Sequence, residues 1–214
     1  LFLLFLFFVI RLALAYLRRN DWASSDHEKA VRAAKRTCNE KQLEIIVKSA
    51  KIPGARMVAA KKMTNPVILA DVAKHDTERL VREYAVNNKH LTDQKTFEYV
   101  AMHGNDQVVY AAIQRLTDPS ALANVAQNHP DSFIQGKARD RIKVVISAVQ
   151  SPDKLMDIAR NSIDPFAREQ AVKNTYFDDQ SVLCELAQKD SSERVRAEAA
   201  AKITDEKTLA AIVK

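Results

Sequence analysis

Seven times along this chain an Asn, Asp or Ser stands seven residues ahead of an apolar pair, with a Leu or Phe between them. The polar positions are Asn39, Asn65, Asp93, Asp118, Ser151, Asp179 and Asp205. The pairs are Ile46-Val47, Val72-Ala73, Val100-Ala101, Val125-Ala126, Ile158-Ala159, Leu186-Ala187 and Ile212-Val213. Leu43, Leu69, Phe97, Leu122, Leu155, Leu183 and Leu209 each stand three residues before a pair. Spacings of three and four put the Leu and the pair on one face of a helix. The polar residue then caps that helix by accepting a hydrogen bond from a first-turn N–H. Pro66, Pro119 and Pro152 follow three of the caps, at the one helical position where a missing N–H costs nothing.

A second helix follows each first one. Nine residues after each pair begins come Ala55, Val81, Val109, Ile134, Ala167 and Val195, and four residues further on Ala59, Ala85, Ile113, Ala138, Ala171 and Ala199. An apolar residue followed by a mostly small one makes a narrow seam at which two helices approach closely. Met63, Leu91, Leu116, Val149, Phe177 and Ile203 close the unit two residues before the next cap, in the manner of a hydrophobic staple.

Successive pairs are 26, 28, 25, 33, 28 and 26 residues apart. Extra residues at 87–90 and 174–176, and extra helix over 141–149, absorb the differences. One unit written repeatedly predicts an all-α superhelical α-solenoid of about seven short two-helix repeats of 25–33 residues, preceded by an apolar helix. Three glycines in 214 residues argue against a sheet-and-turn fold and leave no phosphate-binding loop.

Two segments carry a resemblance. Val81-Arg82-Glu83-Tyr84-Ala85-Val86 with Leu91-Thr92-Asp93-Gln94 resembles HEAT-type repeats, and the short period with Val195-Arg196 and Asn65-Pro66 is similar to the leucine-rich-repeat variant. The resemblance covers about residues 30–214. It implies a curved superhelix used for protein–protein contact. The unit is shorter than the HEAT pattern, and the chain lacks the cysteine cluster that some leucine-rich-repeat-variant proteins carry.

Residues 1–10 contain no polar side chain; Arg11 interrupts, 12–17 resume, and Arg18-Arg19 close the segment. Apolar residues occupy every helical phase, so the segment is no surface stripe. Seventeen helical residues span about 25 Å, a little short of a ~30 Å hydrocarbon core. The expectation is a membrane anchor over residues 1–17 within an apolar helix 1–19, a linker over 20–29, and the repeats over 30–214. Arg18-Arg19 would hold the array on the cytoplasmic side. A signal segment cleaved near Ala13-Leu14-Ala15, leaving a secreted or periplasmic protein, is the alternative. A buried terminal helix capping the array is the third reading. A first residue other than Met and an end inside the seventh unit suggest a piece of a longer protein.

The formal charge of +6 raises nucleic acid as a partner, but residues 1–20 hold three Arg and no acid. The rest carries 30 basic against 27 acidic residues, a charge of +3, and nucleic acid is not the expected partner. Base is concentrated in Lys29, Arg32, Lys35, Arg36, Lys41, Lys48, Lys51, Arg56, Lys61 and Lys62, against Glu40 and Glu44 alone, in reach of anionic headgroups beside an anchor. Arg56, Arg82, Arg168 and Arg196 recur one residue after the seam. They suit a structural ladder to neighbouring acids, with Glu78, Asp106, Asp131 and Asp164 as candidates, or a grip on an acidic partner. Tyr84 and Tyr110 stand beside that row.

No catalytic, metal-binding or cofactor-binding constellation emerges. His27-Glu28 lacks a second His, since residue 31 is Val. Ser24-Ser25-Asp26-His27 holds triad residue types but reads as a helix cap before His27 rather than as a triad. His75, His90, His103 and His129 read as solvated turn residues. Cys38 and Cys184 read as free thiols. Some HEAT-like proteins are DNA glycosylases, but the only Trp, Trp22, falls outside the array. The expected function is a non-catalytic scaffold or adaptor that binds another protein, tethered to a membrane. The alternative is electrostatic binding of nucleic acid or anionic lipid through the basic first repeats. No small-molecule substrate is evident.

Overall fold

The computed structural model describes residues 21–104 and 107–204. The apolar segment 1–20, Asp106 and the seventh cap Asp205 with its pair lie outside the described residues. Among those described, every regular element is helical. After a single 3₁₀ turn, Asp21–Ala23, come α1 (His27–Arg36), α2 (Glu40–Ser49), α3 (Pro53–Lys62), α4 (Pro66–His75), α5 (Arg79–Val86), α6 (Gln94–His103) and α7 (Val108–Arg115). The remainder are α8 (Pro119–Asn128), α9 (Ser132–Ser147), α10 (Pro152–Asn161), α11 (Pro165–Lys173), α12 (Gln180–Lys189) and α13 (Glu193–Lys202). Even-numbered helices are the first helices of their pairs, and the odd-numbered helices from α3 to α13 are the second.

All six described caps act as the spacing predicts. Asn39 accepts from the Gln42 N–H, Asn65 from Val67 and Ile68, Asp93 from Lys95 and Thr96, Asp118 from Ser120, Ser151 from Lys154, and Asp179 from Ser181 and Val182. Asp26 caps α1 through the Lys29 N–H at 2.8 Å. The seam is buried as well: Ala55, Val81, Val109, Ile134, Ala167 and Val195, and each partner four residues on, are at most 5% exposed. In the 33-residue repeat the seam continues in steps of four through Ile142 and Ile146, which makes α9 sixteen residues long. Ile158 and Val149, expected in the core, are half-buried.

One boundary is corrected. The stretch expected as a linker over 20–29 holds the 3₁₀ turn and the first residues of α1. Helix α1 packs on α3, and its Ala30 and Ala34 are fully buried at the seam's own four-residue spacing. Helix α1 therefore takes the place of a second helix ahead of the first complete pair. The described array is six helix pairs plus this one helix.

The described residues form two compact units, 21–100 with 104 and 107–111, and 101–103 with 112–204. In the first, α1, α3 and α5 pack side by side, whereas α2 and α4 scarcely touch. In the second, α9, α11 and α13 make the equivalent close row. Alanines in the seam remove the side-chain bulk that would hold these second helices apart.

Candidate functional site

Helix ends decide which polar side chains remain for a partner. No described residue has a positive φ, and the C-caps Ala50, Asp76, His129, Ser162 and Asp190 are all extended. Without a left-handed glycine cap, the last carbonyls of each helix need outside donors. Two side-chain ladders supply them.

The first ladder is the recurrent Arg. Arg56 donates to the Ala50 carbonyl at 2.9 Å, Arg82 to Asp76 at 2.6 Å, Arg168 to Ser162 at 2.9 Å and Arg196 to Asp190 at 2.8 Å. Each accepting residue lies six positions earlier and is the C-cap of the preceding first helix. Gln135 does the same with the His129 carbonyl at 2.7 Å. Two of the arginines also fork a carboxylate at the next C-cap: Arg56 binds both oxygens of Asp76 at 2.9 and 3.0 Å, and Arg168 those of Asp190 at 2.8 and 2.9 Å. Paired planar forks of this kind are the strong form of the charge-assisted hydrogen bond. Burial alone would raise the Asp190 carboxyl, but the Arg168 fork and the Ser192 N–H outweigh it and hold its pKa below the ordinary value.

The acids expected to meet this ladder are placed elsewhere. Asp131 caps α9, Asp164 caps α11 and accepts from Arg139 at 3.4 Å, and Glu78 starts α5 without a side-chain cap. Asp76 and Asp190, the acids actually used, are C-caps. The spacing marks them, four residues after a pair begins, but an acid at a helix C-terminus opposes the helix dipole and is an unexpected choice.

The second ladder was not foreseen. Three residues after the small seam residue stand Lys62, Asn88, Arg141, Asn174 and Lys202. Each reaches back to carbonyls closing the previous second helix. Lys62 binds the Lys35 and Thr37 carbonyls; Asn88 those of Ala60 at 2.8 Å and Met63 at 2.9 Å; Arg141 that of Leu116 at 3.0 Å. Asn174 binds Ile146 at 2.8 Å and Val149 at 3.0 Å, and Lys202 binds Val172, Asn174 and Phe177. Burial pushes the Lys202 ammonium down from its ordinary range. The column is legible afterwards as a run of donors, but Lys, Asn and Arg share no single residue type to reveal it.

Arg56, Arg82, Arg168 and Arg196, expected as a structural ladder or as a grip on an acidic partner, all make the ladder's carbonyl contacts. Their guanidinium groups hold the array together, and the Arg56 and Arg168 side chains are only 12% and 10% exposed. Tyr110 is half-buried on α7. His129, read from sequence as a solvated turn residue, is buried; its Nδ1 accepts the Asp131 N–H at 3.0 Å. Cys38 is exposed and Cys184 half-buried, both as free thiols. No group of three His, Cys, Asp or Glu side chains gathers among the described residues.

Tyr84 is different. It lies in a groove of about 340 Å³ lined by Lys35 of α1, Met57, Val58, Lys61 and Lys62 of α3, and Tyr84 of α5. These are three adjacent helices of the close row. Apolar residues line it together with three lysines, and no acid contributes. Elsewhere in the basic stretch Lys29 pairs with Asp21 at 3.1 Å, Arg32 with Glu28 at 3.3 Å and Lys48 with Glu44 at 2.9 Å, whereas Arg36, Lys41 and Lys51 make no ion pair among the described residues. Lys62 is held by its carbonyls. Lys35 and Lys61 are exposed and make no ion pair among the described residues. The corresponding row of the second unit carries acids as well as lysines. There Lys173 meets Glu169 at 2.6 Å and Glu198 at 3.6 Å, and the Glu169 hydrogen bond raises the Lys173 pKa.

The described residues form an all-helical repeat, consistent with an α-solenoid-like array of helix pairs. No protein-family model matches the sequence, and no curated protein matches it.

Proposed function

We propose that this protein is a non-catalytic interaction scaffold of the HEAT-like kind, and that the row of second helices in its first unit holds a protein partner. The observation that carries the reading is the groove at Tyr84, where apolar surface and unneutralised lysines meet on helices already locked by the two ladders. Rigid elements that present an aromatic anchor beside charged groups suit recognition of another chain. The apolar residues 1–17 support a membrane tether, with the repeats on the cytoplasmic side. No described helix is long and apolar enough to cross a membrane, and the tether belongs to the segment outside the described residues.

Lys35, Arg36, Lys41, Lys51 and Lys61, exposed and without acidic partners among the described residues, favour a second reading: electrostatic binding of anionic lipid or nucleic acid. Affinity purification of the tagged full chain from detergent-solubilised cells, at low and moderate salt, separates the two. A stoichiometric protein that survives moderate salt supports the scaffold. Lipid or nucleic acid that washes off as salt rises supports the electrostatic reading, through counterion release and screening.

A further inference from the structure

We infer that the groove between α1, α3 and α5 takes an acidic peptide segment carrying a bulky apolar side chain. This deepens the scaffold reading and rests on it. Two features of the groove choose the occupant.

The first is charge. Lys35, Lys61 and Lys62 line one cavity without a carboxylate among its lining residues. The Lys62 ammonium is fixed by the Lys35 and Thr37 carbonyls and cannot swing away, so positive charge stays at the wall. Lys35 and Lys61 lack ion-pair partners among the described residues, and they stand on the wall of one cavity, which Arg36, Lys41 and Lys51 do not line. An acidic segment supplies what the wall lacks. Local complementarity of this kind selects partners and fixes their register more than it raises raw affinity.

The second is shape. Met57 and Val58 are half-buried and Tyr84 is 37% exposed, so apolar area stands open between the lysines. Val58 and Tyr84 occupy the same place in successive second helices, three residues after the seam begins. In the second unit that place holds Lys137, Gln170 and Glu198. A volume of about 340 Å³ is at the small end of ligand pockets, which run ~300–1,000 Å³. It suits one or two side chains rather than a folded domain. A lipid headgroup would use the lysines and leave Met57, Val58 and Tyr84 without a purpose, so the peptide is favoured.

The test is fluorescence anisotropy on the full chain in mild detergent. The probe is a labelled synthetic peptide of alternating Asp and Glu around a central Leu-Phe pair. Its control replaces that pair with two serines. Binding of the Leu-Phe peptide, weakened about tenfold or more by Lys35→Glu with Lys61→Glu and about fivefold by Tyr84→Ala, is the expected result, with the serine control binding at least about tenfold more weakly. Lys41→Glu with Lys51→Glu makes the same charge change outside the groove and should stay within about twofold.

Equal loss from both charge reversals overturns the proposal in favour of diffuse electrostatics. Equal binding of the serine control overturns the apolar part of the groove. Binding of phosphatidylserine-containing mixed micelles through Lys35 and Lys61, with no peptide binding, assigns the groove to lipid. Peptide binding indifferent to all three residues overturns the groove alone, and the scaffold reading then stands or falls on partner recovery.

Discussion

At the scale of single residues, Arg168 does three jobs with one guanidinium. It closes the carbonyl of Ser162, forks Asp190 and reaches the Ser191 hydroxyl at 3.1 Å. Arg168→Met leaves the Asp190 carboxylate without its fork and should cost about 3–5 kcal/mol, measured by urea unfolding. The pH dependence has a definite sign. The pKa of Asp190 is lowered in the folded state, so its contribution is complete above the unfolded value of about 3.9 and is lost as pH falls through the lower folded value. Asp93, held low first by the Thr96 hydroxyl, and Asp179, held low first by the Ser181 hydroxyl, act in the same direction. Acid titration of stability should therefore stay flat above about pH 4 and fall below it, with a shallower fall in Asp190→Asn. The ladder also predicts where a clamp is missing. Gln135 stands where Arg168 stands in its own pair, and the Ser162 hydroxyl at the matching C-cap is buried without a partner. Ser162→Asp alone should destabilise, whereas Gln135→Arg with Ser162→Asp should recover it, with a coupling of about 1–3 kcal/mol in a double-mutant cycle. Zero coupling would mean that the Arg56–Asp76 and Arg168–Asp190 forks do not define a transferable motif.

At the scale of the element, the caps and the apolar face do separable work. Asn65→Ala removes the side-chain oxygen that accepts from the Val67 and Ile68 N–H groups, just after Pro66, and should cost about 1 kcal/mol in thermal unfolding. Leu122 is fully buried at the seam of α8, and Leu122→Ala should cost about 2–5 kcal/mol. A negligible loss at Leu122 would break the register on which every repeat boundary depends. The helices themselves were legible because each first helix carries its cap, its Leu and its pair at the same spacing. The cap ahead of His27 marked a helix start, but the place of α1 in the row was not legible, because it lacks a preceding first helix within the readable repeat and its seam is two alanines. Ala30 and Ala34 carry little hydrophobic signal, and only their contact with α3 shows what they are for.

At the scale of the molecule, stability in a stacked array is carried by nearest neighbours. The ladders strengthen that coupling, since each reaches from one pair into the one beside it: Asn174 holds the end of α9, and Lys202 the end of α11. Leu183→Ala should accordingly raise amide hydrogen exchange most in α12 and α13, less in α11, and hardly in α3. Uniform acceleration from α3 to α13 would instead mean that the array opens as one cooperative block.

The sequence by itself determined the helix pairs, their caps, their buried seams and the positions at which repeat lengths vary. Those features are local: a cap and its N–H, or a Leu and its pair, lie within one helix and recur at fixed spacing. It also drew attention to Arg56, Arg82, Arg168 and Arg196 as a recurrent row and to Tyr84 beside it. Tertiary structure alone decided that the row closes helix ends, that Asp76 and Asp190 receive its forks, and that Lys35, Lys61 and Tyr84 line one groove. Those pairings join residues more than twenty positions apart or on different helices, and only the stacking of one repeat on the next brings them within hydrogen-bonding distance or around a common cavity.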